Sequence, residues 1–170
     1  MSLPVIAGLL ALVAAPAETG AISPPSVFAP SLCSYAVSFP WQPTISQSTA
    51  TDGGKSVAAD LVQGSVRYSA ACIADAPGRG GKPLRPAAAA ARMTEMAHAL
   101  GVQHAEIRPL PKLGPACGQV DGQLGDGAQP YRIIARICIG ATATFIAETV
   151  GRNDLDDQGQ RRFLDSLALR

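Results

Sequence analysis

CGQVDGQLGDGAQPYRIIARIC, residues 117 to 138, decides the fold of this chain. Its middle, Gly125-Asp126-Gly127-Ala128-Gln129-Pro130, is dense in turn formers, and apolar and polar residues alternate on either side. That pattern describes a β-hairpin. When Leu124 is set opposite Tyr131, the residue numbers of every opposed pair sum to 255. Val120 then faces Ala135, Gln119 faces Arg136, and Cys117 faces Cys138. Directly opposed residues of an antiparallel pair lie about 4.5 to 5.5 Å apart at Cα, within the reach of a disulfide. The same register puts Val120, Leu124, Tyr131, Ile133, Ala135 and Ile137 on one face. It puts Gln119, Asp121, Gln123, Arg132 and Arg136 on the other, with Asp121 diagonal to both arginines. One register thus satisfies turn, core, charge and thiols together.

The chain has four cysteines, Cys33, Cys72, Cys117 and Cys138, with spacings of 39, 45 and 21 and no C-x-x-C. Thioredoxin-like and zinc-ribbon chemistry are therefore excluded. Of the three possible connectivities the hairpin register selects Cys117–Cys138, which leaves Cys33–Cys72. Structural bridges closing loops of these sizes contribute roughly 3 to 4 kcal/mol each in the chain-entropy model.

An even cysteine set suits an exported protein, and the first residues point the same way. Leu3 to Ala15 is apolar and uncharged, and Ala15-Pro16-Ala17 offers small residues at the −3 and −1 positions of a cleavage site before Glu18. Residues 1–17 are expected to be a signal peptide, too short to span a membrane, which takes about 20 residues. Residues 18–31, with Pro24, Pro25 and Pro30, are expected to be a flexible lead-in, and residues 32–170 a single domain. Removing 17 of the 170 residues leaves 153, enough for one real core. Net charge is +1, so nothing in the balance argues for nucleic acid, an anionic membrane or a strongly acidic substrate. No transmembrane segment is expected in the mature chain.

Cys33, Tyr35, Val37 and Phe39 alternate with small polar residues in a strand ended by Pro40. Thr44 to Thr49 reads as an edge strand, and Asp52-Gly53-Gly54-Lys55 as a turn. Val57 to Leu61 and Val66 to Asp75 read as further strands. Gly78-Arg79-Gly80-Gly81 is not followed by G-K-[ST], so the loop at 76–86 is not a phosphate loop. Pro86 and Gly101 bound a helix whose inward stripe is Ala89, Met93, Met96, Ala97 and Leu100. His104 to Leu110 is a short strand. The segment Thr144 to Val150 is nearly apolar on both faces and should lie centrally. Asp154 is expected to cap a second helix, with Asp156 and Asp157 in its first turn and Phe163, Leu164 and Leu167 inward. The class that follows is α+β, a mainly antiparallel β-sheet packed by two helices in a disulfide-stapled single domain.

Tyr35-Ala36-Val37-Ser38-Phe39-Pro40-Trp41-Gln42-Pro43 resembles the F-P-x-x-P opening of the Mog1p/PsbP-like modules. Arg162-Phe163-Leu164-Asp165-Ser166-Leu167 is similar to their R-F-x-x-S-[LF] close, and Asp52-Gly53 and Arg67 to Asp75 fall where such modules carry a turn and a core strand. The resemblance spans about residues 33 to 169. It implies an α/β/α sandwich with a binding or assembly role, and brings no catalytic residues.

A search for catalytic residues leads in the same direction. His98 and His104 are the only histidines, and a helix stop at Gly101 lies between them. With Glu95 they would make an incomplete metal set; no H-E-x-x-H and no G-x-S-x-G is present. No metal, cofactor or catalytic residue is therefore expected. Trp41, held between Pro40 and Pro43, is the candidate partner-binding residue, with Phe39 and Pro43 beside it. Two function classes follow. One is an exported, non-enzymatic binding or accessory module with a protein or small-molecule partner. The other is a small exported enzyme, a hydrolase foremost, with a site built from scattered polar residues. A cleft with convergent polar groups including a histidine would favour the enzyme. An apolar surface at Trp41 would favour the binder.

Overall fold

In the computed structural model, which describes residues 25–78, 80–125, 130–152 and 158–170, the hairpin is part of a larger sheet. The elements in chain order are β1 (Ser26–Phe28), β2 (Tyr35–Phe39), β3 (Thr44–Thr49), β4 (Lys55–Gln63), β5 (Val66–Ala74) and α1 (Pro86–Ala99). They continue with β6 (Gln103–Pro109), β7 (Cys117–Leu124), β8 (Tyr131–Ile139), β9 (Ala143–Arg152), α2 (Gln158–Asp165) and β10 (Ala168–Leu169). Seven strands form one antiparallel sheet in the order β3-β4-β5-β9-β8-β7-β6, and β1-β2-β10 form a small second sheet. The fold is α+β. In the β7–β8 ladder Leu124 pairs with Tyr131 and Cys117 with Cys138. The tip residues 126–129 lie outside the described residues. β9, nearly apolar on both sides, is the fourth of the seven strands, and β3 is an edge.

Register divides the large sheet into two faces. Tyr68, Ala70 and Cys72 of β5, Phe145 and Ala147 of β9 and Ile134 of β8 share the first face. The small sheet and α2 cover it through Val37, Phe39, Phe163, Leu164 and Leu167. Val120, Ile133, Ala135 and Ile137 share the second face, where α1 lays down Ala89, Met93 and Ala97. The two helices therefore lie on opposite sides of the sheet. α1 starts with Pro86 in its first turn and stops at Gly101, φ 73°, where the Val102 N–H returns to the Ala97 carbonyl at 2.9 Å. Gly118 lets this helix sit close. A Cβ there would stand 2.7 Å from the Met93 sulfur.

Arg136 ties α2 to the sheet. Its guanidinium donates to the Leu164 carbonyl at the end of α2 (2.5 Å) and to the Asp165 carboxylate (2.5 Å). Asp121 accepts from Arg132 through both carboxylate oxygens, at 3.1 and 2.7 Å. Gly159 costs α2 about 1 kcal/mol relative to Ala. It sits over Tyr68, whose hydroxyl would be 3.0 Å from an added Cβ.

Three expectations need correction. The lead-in does not extend to residue 31: Ser26–Phe28 forms β1 against β2, because Phe28 gains burial between Phe39 and Phe145. β2 begins at Tyr35, so Cys33 precedes the strand. The expected Cys33–Cys72 bridge is present, with Cα atoms 6.0 Å apart, and joins the segment before β2 to β5 of the large sheet. Leu100 does not face inward; it is the C-cap of α1 and 55% exposed. The expected signal peptide, residues 1–17, and the expected cap residues Asp154, Asp156 and Asp157 lie outside the described residues.

Candidate functional site

Trp41 lies where the chain crosses from one sheet to the other. β2 ends at Phe39 in the small sheet and β3 begins at Thr44 on the edge of the large one. Two of the four connecting residues are prolines, which fixes their φ angles and offers no N–H. Phe39 is fully buried between Phe28 and Phe163, and Pro43 is buried as well. Both are buried, so of the three candidate residues only Trp41, partly buried, reaches solvent, beside the exposed Gln42. Trp41 lines a cleft of about 540 Å³ with Pro25, Pro40, Gln63 and Arg162, floored by Phe39 and Phe163. Arg162 is exposed and donates to the Gln158 side chain at 3.2 Å. The cleft thus offers aromatic and proline surface with a guanidinium at its mouth, suited to an apolar group that carries an acceptor.

The histidines do not converge. His98 is exposed on α1, over the second face. His104 lines a cleft of about 460 Å³ on the first face, with Glu106, Asp121, Gln123 and Arg132. It occupies a β-bulge, where β6 has one residue more than β7 between the pairs Gln103–Gln123 and Glu106–Asp121. Its φ of 52° is uncommon for a residue other than glycine. The acids of this cleft are already engaged, Asp121 with Arg132 and Glu106 with Arg108 at 2.9 Å. No serine, threonine or cysteine is among its lining residues. Among the described residues no group of three or more His, Cys, Asp or Glu side chains could hold a metal ion.

A third polar group was not visible in the sequence. Asp60 of β4, Arg67 of β5 and Glu148 of β9 meet on the second face, away from α1. Arg67 donates to Asp60 twice, at 2.6 and 3.0 Å. Burial pushes the Glu148 carboxyl above the usual carboxylate range, and the Arg67 charge opposes that only in part. The signal was the presence of Glu148 in a strand otherwise almost wholly apolar.

The chain matches no protein-family model and no curated protein.

Among the described residues, no helix is long and apolar enough to cross a membrane, and all four cysteines are bridged.

Proposed function

We propose that this is an exported, non-enzymatic binding module that engages a protein partner through the Trp41 corner. The observation that supports it is the placement of Trp41 at the lip of a 540 Å³ cleft, on a backbone stiffened by Pro40 and Pro43. A rigid backbone loses little entropy when a partner buries the ring. Two buried disulfide bridges are compatible with export. The Mog1p/PsbP-like resemblance fits the same reading. The segments that carry it touch one another: Phe39 packs on Phe163, and the Ser38 N–H donates to the Ser166 hydroxyl at 2.8 Å.

The test is Trp41→Ala in the mature protein, read by thermal melting and by capture of a partner from envelope extract. An anchoring Trp loses about 2 kcal/mol or more in affinity on truncation, about thirtyfold or more, with melting unchanged. A collapse of the melting temperature instead would make Trp41 a core residue and end this reading.

A second reading, a small exported hydrolase, has one observation in its favour, the His104 cleft with its four polar neighbours. Glu106 and Asp121 are held by arginines, so His104 would have to act there as a lone base. Loss of a measurable hydrolytic activity in His104→Ala would carry that reading.

A further inference from the structure

β3 and β6 are the two edges of the seven-stranded sheet, and they are not alike. β6 carries the devices that discourage further pairing: a bulge at His104, the charges of Glu106 and Arg108, and Pro109 at its end. β3 carries none of them. Its sequence TISQST has no charge and no proline, its register with β4 is unbroken, and all six residues are exposed.

Among the described residues no strand pairs with the outer side of β3, and its outward backbone groups can be assigned. The Ala50 N–H donates to the Gly54 carbonyl at 2.8 Å, in a hairpin turn closed by Gly53 at φ 87°. Hydrogen-bonded and non-bonded pairs alternate along an antiparallel ladder. Ser48, Ser46 and Thr44 therefore bond to β4 as Ala50 does. The N–H and C=O of Thr49, Gln47 and Ile45 point away from the sheet.

We propose that this edge is a dimerisation surface, on which β3 pairs antiparallel with β3 of a second copy of the chain about a two-fold axis at Gln47. The outward groups at 45, 47 and 49 are centred on Gln47, as a two-fold axis through a hydrogen-bonded pair requires. Gln47 then faces Gln47 of the second copy, Ile45 faces its Thr49, and Ser46 faces its Ser48. Self-pairing sets every charge near the axis against a charge of its own sign. From Pro43 to Thr51 there is no charged side chain, so nothing repels. The β-branched Ile45 and Thr49 suit each other across the strands, and the Gln47 amides can bond across the axis. Ile45, 47% exposed, gains cover. The product is one continuous sheet through both copies.

The register makes the test specific. All four native cysteines are bridged, so Gln47→Cys adds a single thiol. Opposed residues of a hydrogen-bonded pair lie about 5.5 Å apart at Cα, which a disulfide spans. Under mild oxidation Q47C is expected to form a covalent dimer. T49C is not, because the two Thr49 positions lie about 14 Å apart along the strands. In sedimentation, the unmodified protein shows a mass that rises to the dimer with concentration. Gln47→Lys places two ammonium groups face to face and raises the dissociation constant about tenfold at low salt, less at high salt. Gln47→Pro removes only an outward N–H, so it abolishes the dimer while the melting temperature holds. Ser46→Pro, which breaks the bond to β4, lowers the melting temperature. A protein that stays monomeric at every concentration, Q47C cross-linking no faster than T49C, or a dimer indifferent to Gln47→Lys overturns the proposal. So does a monomer whose β3 edge takes up an unrelated extended peptide.

Discussion

The Phe39 ring of β2 meets Phe163 of α2 edge-on, with centroids 4.9 Å apart and planes at 65°. Phe163 in turn meets Tyr68 of β5 at 5.4 Å. The three rings form one line from the small sheet through the helix to the large sheet, so the cover on the first face depends on them. Phe39→Ala is expected to lower stability by about 3 to 5 kcal/mol, measured by urea unfolding. A loss under about 1 kcal/mol would mean that the small sheet is not packed as described.

The two disulfides should separate in the same assay. Cys117–Cys138 joins strands already hydrogen-bonded to each other, whereas Cys33–Cys72 joins two layers. Replacing the Cys117–Cys138 pair by Ala should cost about 3 kcal/mol, and replacing Cys33–Cys72 about 4 kcal/mol, from loop lengths alone. Loss of Cys33–Cys72 should also speed amide exchange in β1, β2 and β10 ahead of the large sheet. Uniform exchange across both sheets would contradict the layered account.

The hairpin register was legible because four independent requirements, turn, core, charge and thiols, met in a single alignment. β9 was legible as the central strand because Phe145, Ile146, Ala147 and Val150 make it nearly apolar on both faces. Other features were hidden for physical reasons. β1 and β10 have three residues and two, too few to show alternation. Leu100 kept helical spacing but fell on the cap, where the chain is already leaving the helix. The left-handed backbone of His104 has no signature in a histidine. Asp60, Arg67 and Glu148 meet only because β5 pairs with β9, a contact that strand patterning does not specify. At the Trp41 corner the prolines were readable, but the burial of Phe39 and Pro43 was not. Alternation marks Phe39 as inward without saying that a second layer lies above it.

The mature protein is expected to begin at Glu18. Ala15-Pro16-Ala17 supplies the small residues that a signal peptidase needs. N-terminal sequencing of protein recovered from the cell envelope checks this, and recovery of intact Met1 would refute it.

The last expectation concerns pH and Glu148. Its carboxyl is pushed up chiefly by burial between β5 and β8, and further by the charge of Asp60, while Arg67 pulls it down. A carboxyl whose folded pKa exceeds its unfolded value binds a proton more tightly when folded. Its contribution to stability is therefore fully present below the unfolded value, about 4.3, and is lost as pH rises through the folded value. Stability at neutral pH should accordingly be lower than at the acidic end of that window, as far as this group decides it. Glu148→Gln keeps the shape and removes the titration. The variant should be at least as stable as the unmodified protein at pH 7, with its stability flatter between the two pKa values. Unfolding measured in urea across that range checks both. Arg67→Ala should steepen the same slope, because it removes a charge that favours the ionised form. If Glu148→Gln left the pH profile unchanged, the carboxyl would have to be better solvated than its place between β5 and β8 allows.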